Sequence, residues 1–444
     1  MAARTHNRRT ATLMRAAMLT AGVALLAGCS SLSNMFDSHD DTILPGKRES
    51  VMPDANGLKT DPALEANPVV VPAAQTNSNW AQPGGTPTNS LHNLALSGAL
   101  QQAWAVEAGE GSDSDGRLVA SPIVVGGRIY VLDTLATVRA FNASSGALLW
   151  TRSLAPEGED PDGAFGGGLA SDGSRIYATT AFGDILALDA NSGNEIWRRP
   201  GEVPFRDAPT VVGGRLFASS VNNEVVALST SDGKEQWTFQ GVGEQASVIS
   251  STSPAVSNGM VVVPTTSGEL IAFRASDGIP RWGDALSSAG GLSSIASLSN
   301  IAGRPVIDRG AVFAIAHSGR MGAFRLETGE RLWVEDVSGT QTPWVAGDYV
   351  FVLAGDTTLA AVSRKDGKAR WKTALPSGQV WSGPVMGGGK LILVSSTGQL
   401  AQVSPQTGKI LSQKTLDRPI YITPVIANNT LYVLTDDATL IALR

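Results

Sequence analysis

The sequence predicts an all-β protein, an eight-bladed β-propeller, and three observations carry that prediction. A unit of fixed internal length recurs along the chain, each unit reads as four short strands, and the two ends of the repeat region are complementary fragments of one further unit. Trp150, Trp197, Trp237, Trp282, Trp333 and Trp371 each lie four residues after a glycine, at Gly146, Gly193, Gly233, Gly278, Gly329 and Gly367. A proline opens the unit 28 residues before the tryptophan at Pro122, Pro209, Pro254, Pro305 and Pro343. One copy has Leu169 at the proline position, and another keeps Pro384 and Gly408 but has Ser412 at the tryptophan position. A fixed period of this length is the signature of a repeat architecture, in which each unit buries its apolar face only against its neighbours.

Within a unit the strands follow from turn chemistry. In the first complete copy they fall near 120–125, 128–132, 137–141 and 147–151, separated by turns such as Gly126-Gly127 and Ser145-Gly146. Glycine serves there because it reaches positive φ without steric cost. Four antiparallel strands per repeat define a propeller blade. The blade count comes from the ends. The segment 421–443 supplies Pro424, an Asn428-Asn429 turn and the run Leu440–Leu443, but no fourth strand. The segment 100–106 carries Trp104 without the three strands that should precede it. Joined, they make one blade, so the outer strands centre on positions 104, 150, 197, 237, 282, 333, 371 and 412, and the ring closes with no exposed end.

The N-terminus lies outside that ring. Arg4, Arg8, Arg9 and Arg15 precede an apolar run from Ala16 to Leu26, the pattern of a signal peptide over residues 1–28, too short for a spanning helix. The run ends Leu26-Ala27-Gly28-Cys29-Ser30, and Cys29 is the one cysteine of the chain. These residues resemble a bacterial lipobox, which implies cleavage before Cys29 and acylation of its thiol. Several acyl chains anchor a protein stably, at roughly 0.8 kcal/mol per buried methylene. Residues 29–78, rich in Ser, Asp, Pro, Ala and Asn, read as a flexible tether, and 79–444 as the propeller. Without the signal arginines the chain holds 30 basic and 40 acidic residues, a net charge of −10, and has no Lys/Arg cluster for nucleic acid.

The tryptophans read as packing wedges between blades, at one fixed position of every outer strand. Function should lie where copies differ, and copies differ in length only in the joints between blades. The long joints are 105–121, 151–168, 238–253 and 283–304; the last two flank one blade and are rich in Ser, Gly and Val, with Ile249, Ile295, Leu298 and Ile301 as exposed apolar anchors. Catalytic and metal-ligand constellations are not apparent: His92 and His317 stand apart, and Asp184, Glu224 and Glu269 fall at hairpin turns that favour such residues anyway. The reading is a chain with no catalytic, cofactor or metal residues.

The unit, for example Ala187-Leu188-Asp189-Ala190-Asn191-Ser192-Gly193-Asn194-Glu195-Ile196-Trp197, resembles the tryptophan-docking motif of the pyrroloquinoline-quinone propeller superfamily over residues 79–444. Within it, the lipobox, length and blade number resemble the outer-membrane assembly factor B (BamB) family. That resemblance implies a non-enzymatic lipoprotein on the periplasmic face of the outer membrane, docking on the periplasmic domains of the barrel-insertion protein and assisting β-barrel assembly. It implies contacts on two adjacent inter-blade loops, here 238–253 and 283–304, with Val248, Ile249, Leu298, Asn300 and Ile301 as candidate partner-binding residues. The alternatives are a quinone-dependent dehydrogenase, whose family carries a vicinal cysteine pair and an acidic calcium site, and a propeller that binds cell-wall polymer or a small ligand.

Overall fold

A computed structural model of the chain describes residues 58–64, 68–163, 165–205, 207–243, 252–286, 300–317, 319–355 and 357–444. They belong to the compact unit Asp54–Arg444. Cys29, the signal peptide and the first part of the tether lie outside the described residues. Among those described, no helix is long and apolar enough to cross a membrane.

Thirty-two strands form eight separate four-stranded antiparallel sheets. We number the blades I (123–153), II (167–199), III (210–240), IV (255–285), V (306–335), VI (344–374), VII (381–415) and VIII (425–443). Blade VIII takes its outermost strand, Gln102–Glu107, from the N-terminal side, with Trp104 opposite Ala442. The expected closure by complementary ends is therefore the observed one. In each blade the first strand is innermost. Its turn to the second strand and the turn from third to fourth share one face, here the turn face. The second-to-third turns and the joints between blades share the other, here the joint face.

The core lies between blades rather than within one. One apolar cluster joins blades I and II through residues such as Ile123, Tyr130, Leu169 and Ile176, and the next joins II and III through Tyr177, Ile185, Leu216 and Val226. The tryptophans lock these seams. The Trp150 Nε1–H donates to the Ala190 carbonyl of the next blade at 3.2 Å, and Trp197, Trp237, Trp282, Trp333 and Trp371 repeat the bond to Thr230, Ala275, Leu326, Arg364 and Pro405. Each ring covers the next blade's turn glycine so closely that a Cβ on Gly193, Gly233 or Gly278 would stand 2.5–2.6 Å from it. Inside its own blade each of these rings sits opposite an alanine, for instance Ala140 for Trp150 and Ala227 for Trp237.

The seam from VII to VIII departs from this rule in a self-consistent way. Ser412 replaces the tryptophan, Gln402 stands opposite it instead of alanine, and Leu100 occupies the turn position four residues before Trp104. Leu100 keeps the left-handed backbone of the glycines, φ 52°, and buries its side chain to 2% exposure. The register is unchanged: Lys414 Nζ donates to the Leu100 carbonyl at 2.9 Å, as Thr373 Oγ1 does to Gly408 in the preceding seam. Where no indole covers the turn there is room for a side chain.

One expectation is corrected. Residues 58–64 and 68–78, read above as free tether, are bonded to the propeller. Thr60 bridges Ala369 at the outer edge of blade VI, and the Asn93 side-chain amide donates to the Pro72 carbonyl at 2.8 Å. From Asn77 to Ser97 the chain forms a collar around the turn-face end of the central channel and meets every blade in ring order. Asn77 bonds to Ile426 of VIII, Trp80 pairs with Val124 of I, and Gln82 bonds to Ser171 of II and Val211 of III. Pro87 and Thr88 accept from Val256 of IV and Ile307 of V, His92 accepts from the Trp344 indole of VI, Leu94 bonds to Met386 of VII, and Ser97 returns to Asn429 of VIII. Most of these bonds use backbone groups, which every residue carries alike, so the segment has no apolar period to betray it. His92 is not isolated either: its Nε2 lies 3.1 Å from Asp308, which Arg364 also contacts.

Candidate functional site

The joint face carries all the length variation between blades, and its joints differ in chemistry. The VIII–I joint (108–122) holds Glu110, Asp113 and Asp115 against Arg117, and the I–II joint (154–166) holds Glu157, Glu159, Asp160 and Asp162 with no basic residue. The two joints flanking blade IV, 241–254 and 286–305, have one charge each, Glu244 and Arg304. The rest is mostly Ser, Gly and apolar residues, a composition suited to apolar and backbone contacts rather than charge pairing.

The feet of these two joints are fixed and touch each other. Asn223, held at φ 59° in the second turn of blade III, donates from Nδ2 to the Val242 carbonyl at 2.6 Å and to Thr266 Oγ1 at 2.8 Å. Its Oδ1 accepts from the Thr266 backbone at 3.0 Å, so one side chain ties the III–IV joint to blade IV. The Thr252 Oγ1 donates to the Gly303 carbonyl of the second joint, and the Thr252 backbone N–H donates to Asp207 Oδ1 at 3.1 Å. Leu286 and Ile301 each donate a backbone hydrogen bond to the second turn of blade IV, at Gly268 and Thr265.

Of the candidate partner residues, Val248, Ile249 and Leu298 lie outside the described residues, as does Ile295. Asn300 and Ile301 are described and are 3% and 2% exposed. Ile301 is therefore not an exposed anchor: it belongs to the apolar cluster of Leu286, Ile307, Ala316 and Phe324 between blades IV and V. Asn300 accepts the His317 backbone N–H at 3.1 Å. Both hold the foot of the loop. The exposed apolar group at this place is Val242, 79% accessible, which sequence reasoning missed. Its signal was an apolar residue isolated between Gly241 and Gly243 just past a strand end.

Asp184 is buried in its turn and pairs with Arg198 of the same blade, a structural ion pair, while Glu224 and Glu269 begin third strands. The joint face also holds the open end of the channel, a cavity of about 260 Å³ lined by the starts of the inner strands of blades I and V–VIII. Arg304, 7% exposed, crosses from blade V to the opposite blade I, where its guanidinium donates to Ser121 Oγ at 3.1 Å. Among the described residues, no group of three His, Cys, Asp or Glu is placed to hold a metal ion.

Repeat, docked tryptophans and closed ring define a pyrroloquinoline-quinone-like eight-bladed propeller. The family model for outer membrane protein assembly factor BamB matches residues 94–160, 134–373 and 355–444, and the chain belongs to that family. Among curated relatives, BamB of Alkalilimnicola ehrlichii is 29% identical over 164 residues, covering 37% of this chain and 43% of the relative. BamB of Salmonella typhimurium is 25% identical over 163 residues, 36% of this chain and 42% of the relative. The alignments thus span about two fifths of the length of the curated relatives. The crystal structure of BamB from Moraxella catarrhalis aligns with a TM-score of 0.67 at 19% identity, over 78% of this chain and all of that one. A quinohemoprotein alcohol dehydrogenase from Comamonas testosteroni reaches the same TM-score at 13% identity, over 83% of this chain and 81% of that one, a likeness of fold alone.

Proposed function

We propose that this protein is a non-enzymatic scaffold of outer-membrane β-barrel assembly. It is held at the periplasmic face of the outer membrane by acylated Cys29 and docks on the periplasmic domains of the barrel-insertion protein. The docking surface is the pair of joints flanking blade IV, with Val242 added to the predicted contacts Val248, Ile249 and Leu298. The observation that carries this reading is the fixing of the two joint feet: Asn223 ties the first to blade IV, and the Thr252–Gly303 bond joins it to the second. Two joints of low charge, whose feet are bonded together next to a 79% exposed valine, suit a protein contact whose energy resides in a few desolvated apolar groups.

Affinity capture of the full chain from detergent-solubilised membranes tests it. The barrel-insertion protein should co-purify in stoichiometric amount, and Val242→Asp combined with Ile249→Asp should reduce its recovery at least tenfold without altering the fold. Recovery unchanged by those substitutions would remove the platform from the docking surface. Stoichiometric binding of pyrroloquinoline quinone with calcium, together with dye-linked alcohol oxidation, would overturn the scaffold reading itself.

A further inference from the structure

The collar and the joint-face cavity together make the central channel a blind funnel. Collar residues Trp80, Gln82 and Leu94 are each 2% exposed and fill the turn-face end, whereas Val380 and Tyr421, 45% and 46% exposed, stand at the joint-face mouth. Among the described residues that line the cavity, Arg304 is the one that is charged. Burial pushes its guanidinium down and the nearby Asp207 offsets part of this, leaving it at about 10 and so cationic at neutral pH. Two hydroxyls that line the same cavity bond to Arg304 as acceptors: Ser121 Oγ takes the guanidinium N–H at 3.1 Å, and Thr342 Oγ1 takes the backbone N–H at 3.1 Å. A hydroxyl that accepts keeps its own proton to donate. Three groups with protons to donate therefore line one cavity of mixed polarity, and the planar guanidinium fork matches a carboxylate.

We propose that the funnel is a binding site for a carboxylate, seated on the Arg304 guanidinium and the Ser121 and Thr342 hydroxyls. The cavity of about 260 Å³ lies at the small end for a ligand pocket, so it takes a short acid or the C-terminal residues of an extended chain. The half-exposed Val380 and Tyr421 give the rest of the ligand an apolar rim. The site does not rest on the docking reading: Arg304 belongs to the second platform joint, but its guanidinium reaches Ser121 of blade I and lines the channel cavity.

The test is calorimetric titration of the full chain in non-ionic detergent with succinate and with acetyl-trialanine, each beside its amide. Saturable one-to-one binding of the free acids, at least tenfold tighter than of the amides, is expected. A tighter peptide identifies a chain terminus as the ligand, and a tighter succinate a small acid. Arg304→Gln should weaken binding at least tenfold, and Val380→Trp, a change at an exposed position, should block the mouth with the thermal midpoint unchanged. If Arg304→Gln does not fold, Val380→Trp carries the test. Equal binding of acids and amides, no saturable binding, or affinity unchanged in a folded Val380→Trp protein would overturn the proposal.

Discussion

The seam between blades III and IV allows a quantitative test of the docking rule. Trp237 is 7% exposed, donates to the Ala275 carbonyl at 3.1 Å, and has Phe217 and Phe273 at ring-centroid distances of 5.9 and 5.8 Å. Trp237→Ala should cost about 4 kcal/mol, the usual range for a buried aromatic ring. Gly278→Ala meets two penalties. Its φ of +71° costs an L-residue roughly 1–2 kcal/mol. Its new Cβ would also stand 2.5 Å from Cδ2 of Trp237, an overlap costing about 1–3 kcal/mol. In the double variant the overlap vanishes while the backbone strain stays. The pair should therefore fall short of additivity by about 2 kcal/mol, the overpacking part alone. Guanidinium chloride unfolding followed by far-ultraviolet circular dichroism measures all three variants free of the altered tryptophan emission. Additivity within about 0.5 kcal/mol would refute the claim that the indole is what excludes side chains from the turn. The seam that holds Ser412 and Leu100 has already made this exchange, with a buried leucine at φ 52° where no indole stands.

Gln82→Ala should destabilise the protein by about 2–3 kcal/mol, because its buried amide serves Ser171 and Val211 of two blades, with bonds of 3.0 and 3.1 Å to Val211 alone; chemical denaturation checks it. Asp308 is pushed up by burial, but the hydrogen bond from His92 and the charge of Arg364 outweigh this and hold it at about 2, against an ordinary 3.8. A lowered folded pKa contributes stability above the unfolded value that is lost as pH falls through the folded one. Asp308→Asn should therefore cost about 2 kcal/mol at neutral pH, and the gap should close between pH 4 and 2 in paired unfolding curves. Val242→Asp should leave the thermal midpoint within about 1 °C, as expected of a surface change, while lowering recovery of the barrel-insertion protein.

The blade number, the docking tryptophans and the closure through Trp104 were legible because each is a local pattern repeated at fixed spacing. Even the exception was visible in outline: Ser412 broke the pattern in the sequence, although its compensation by Gln402 and Leu100 was not. The site was less legible. Ile301 looked like an exposed anchor because a Ser/Gly-rich stretch suggests a solvated loop, yet it packs under Phe324 and Leu286 between two blades. Val242 was passed over although it lies in the 238–253 joint, because little besides its flanking glycines distinguishes it from the other valine of that joint.

By itself, then, the sequence determined the ring: repeats stack only on their neighbours, and the residues that make one seam lie within about one repeat of each other and recur in every copy. Only the tertiary structure decided what lies on the axis. The collar reaches the eight blades mostly through its backbone groups, which leave no mark on residue choice, with Gln82 and Asn77 as side-chain exceptions, and Arg304 meets Ser121 across 183 residues of chain, one contact made once. A singular contact between distant residues has no period, and the ring has to close before the two ends of that bond face each other.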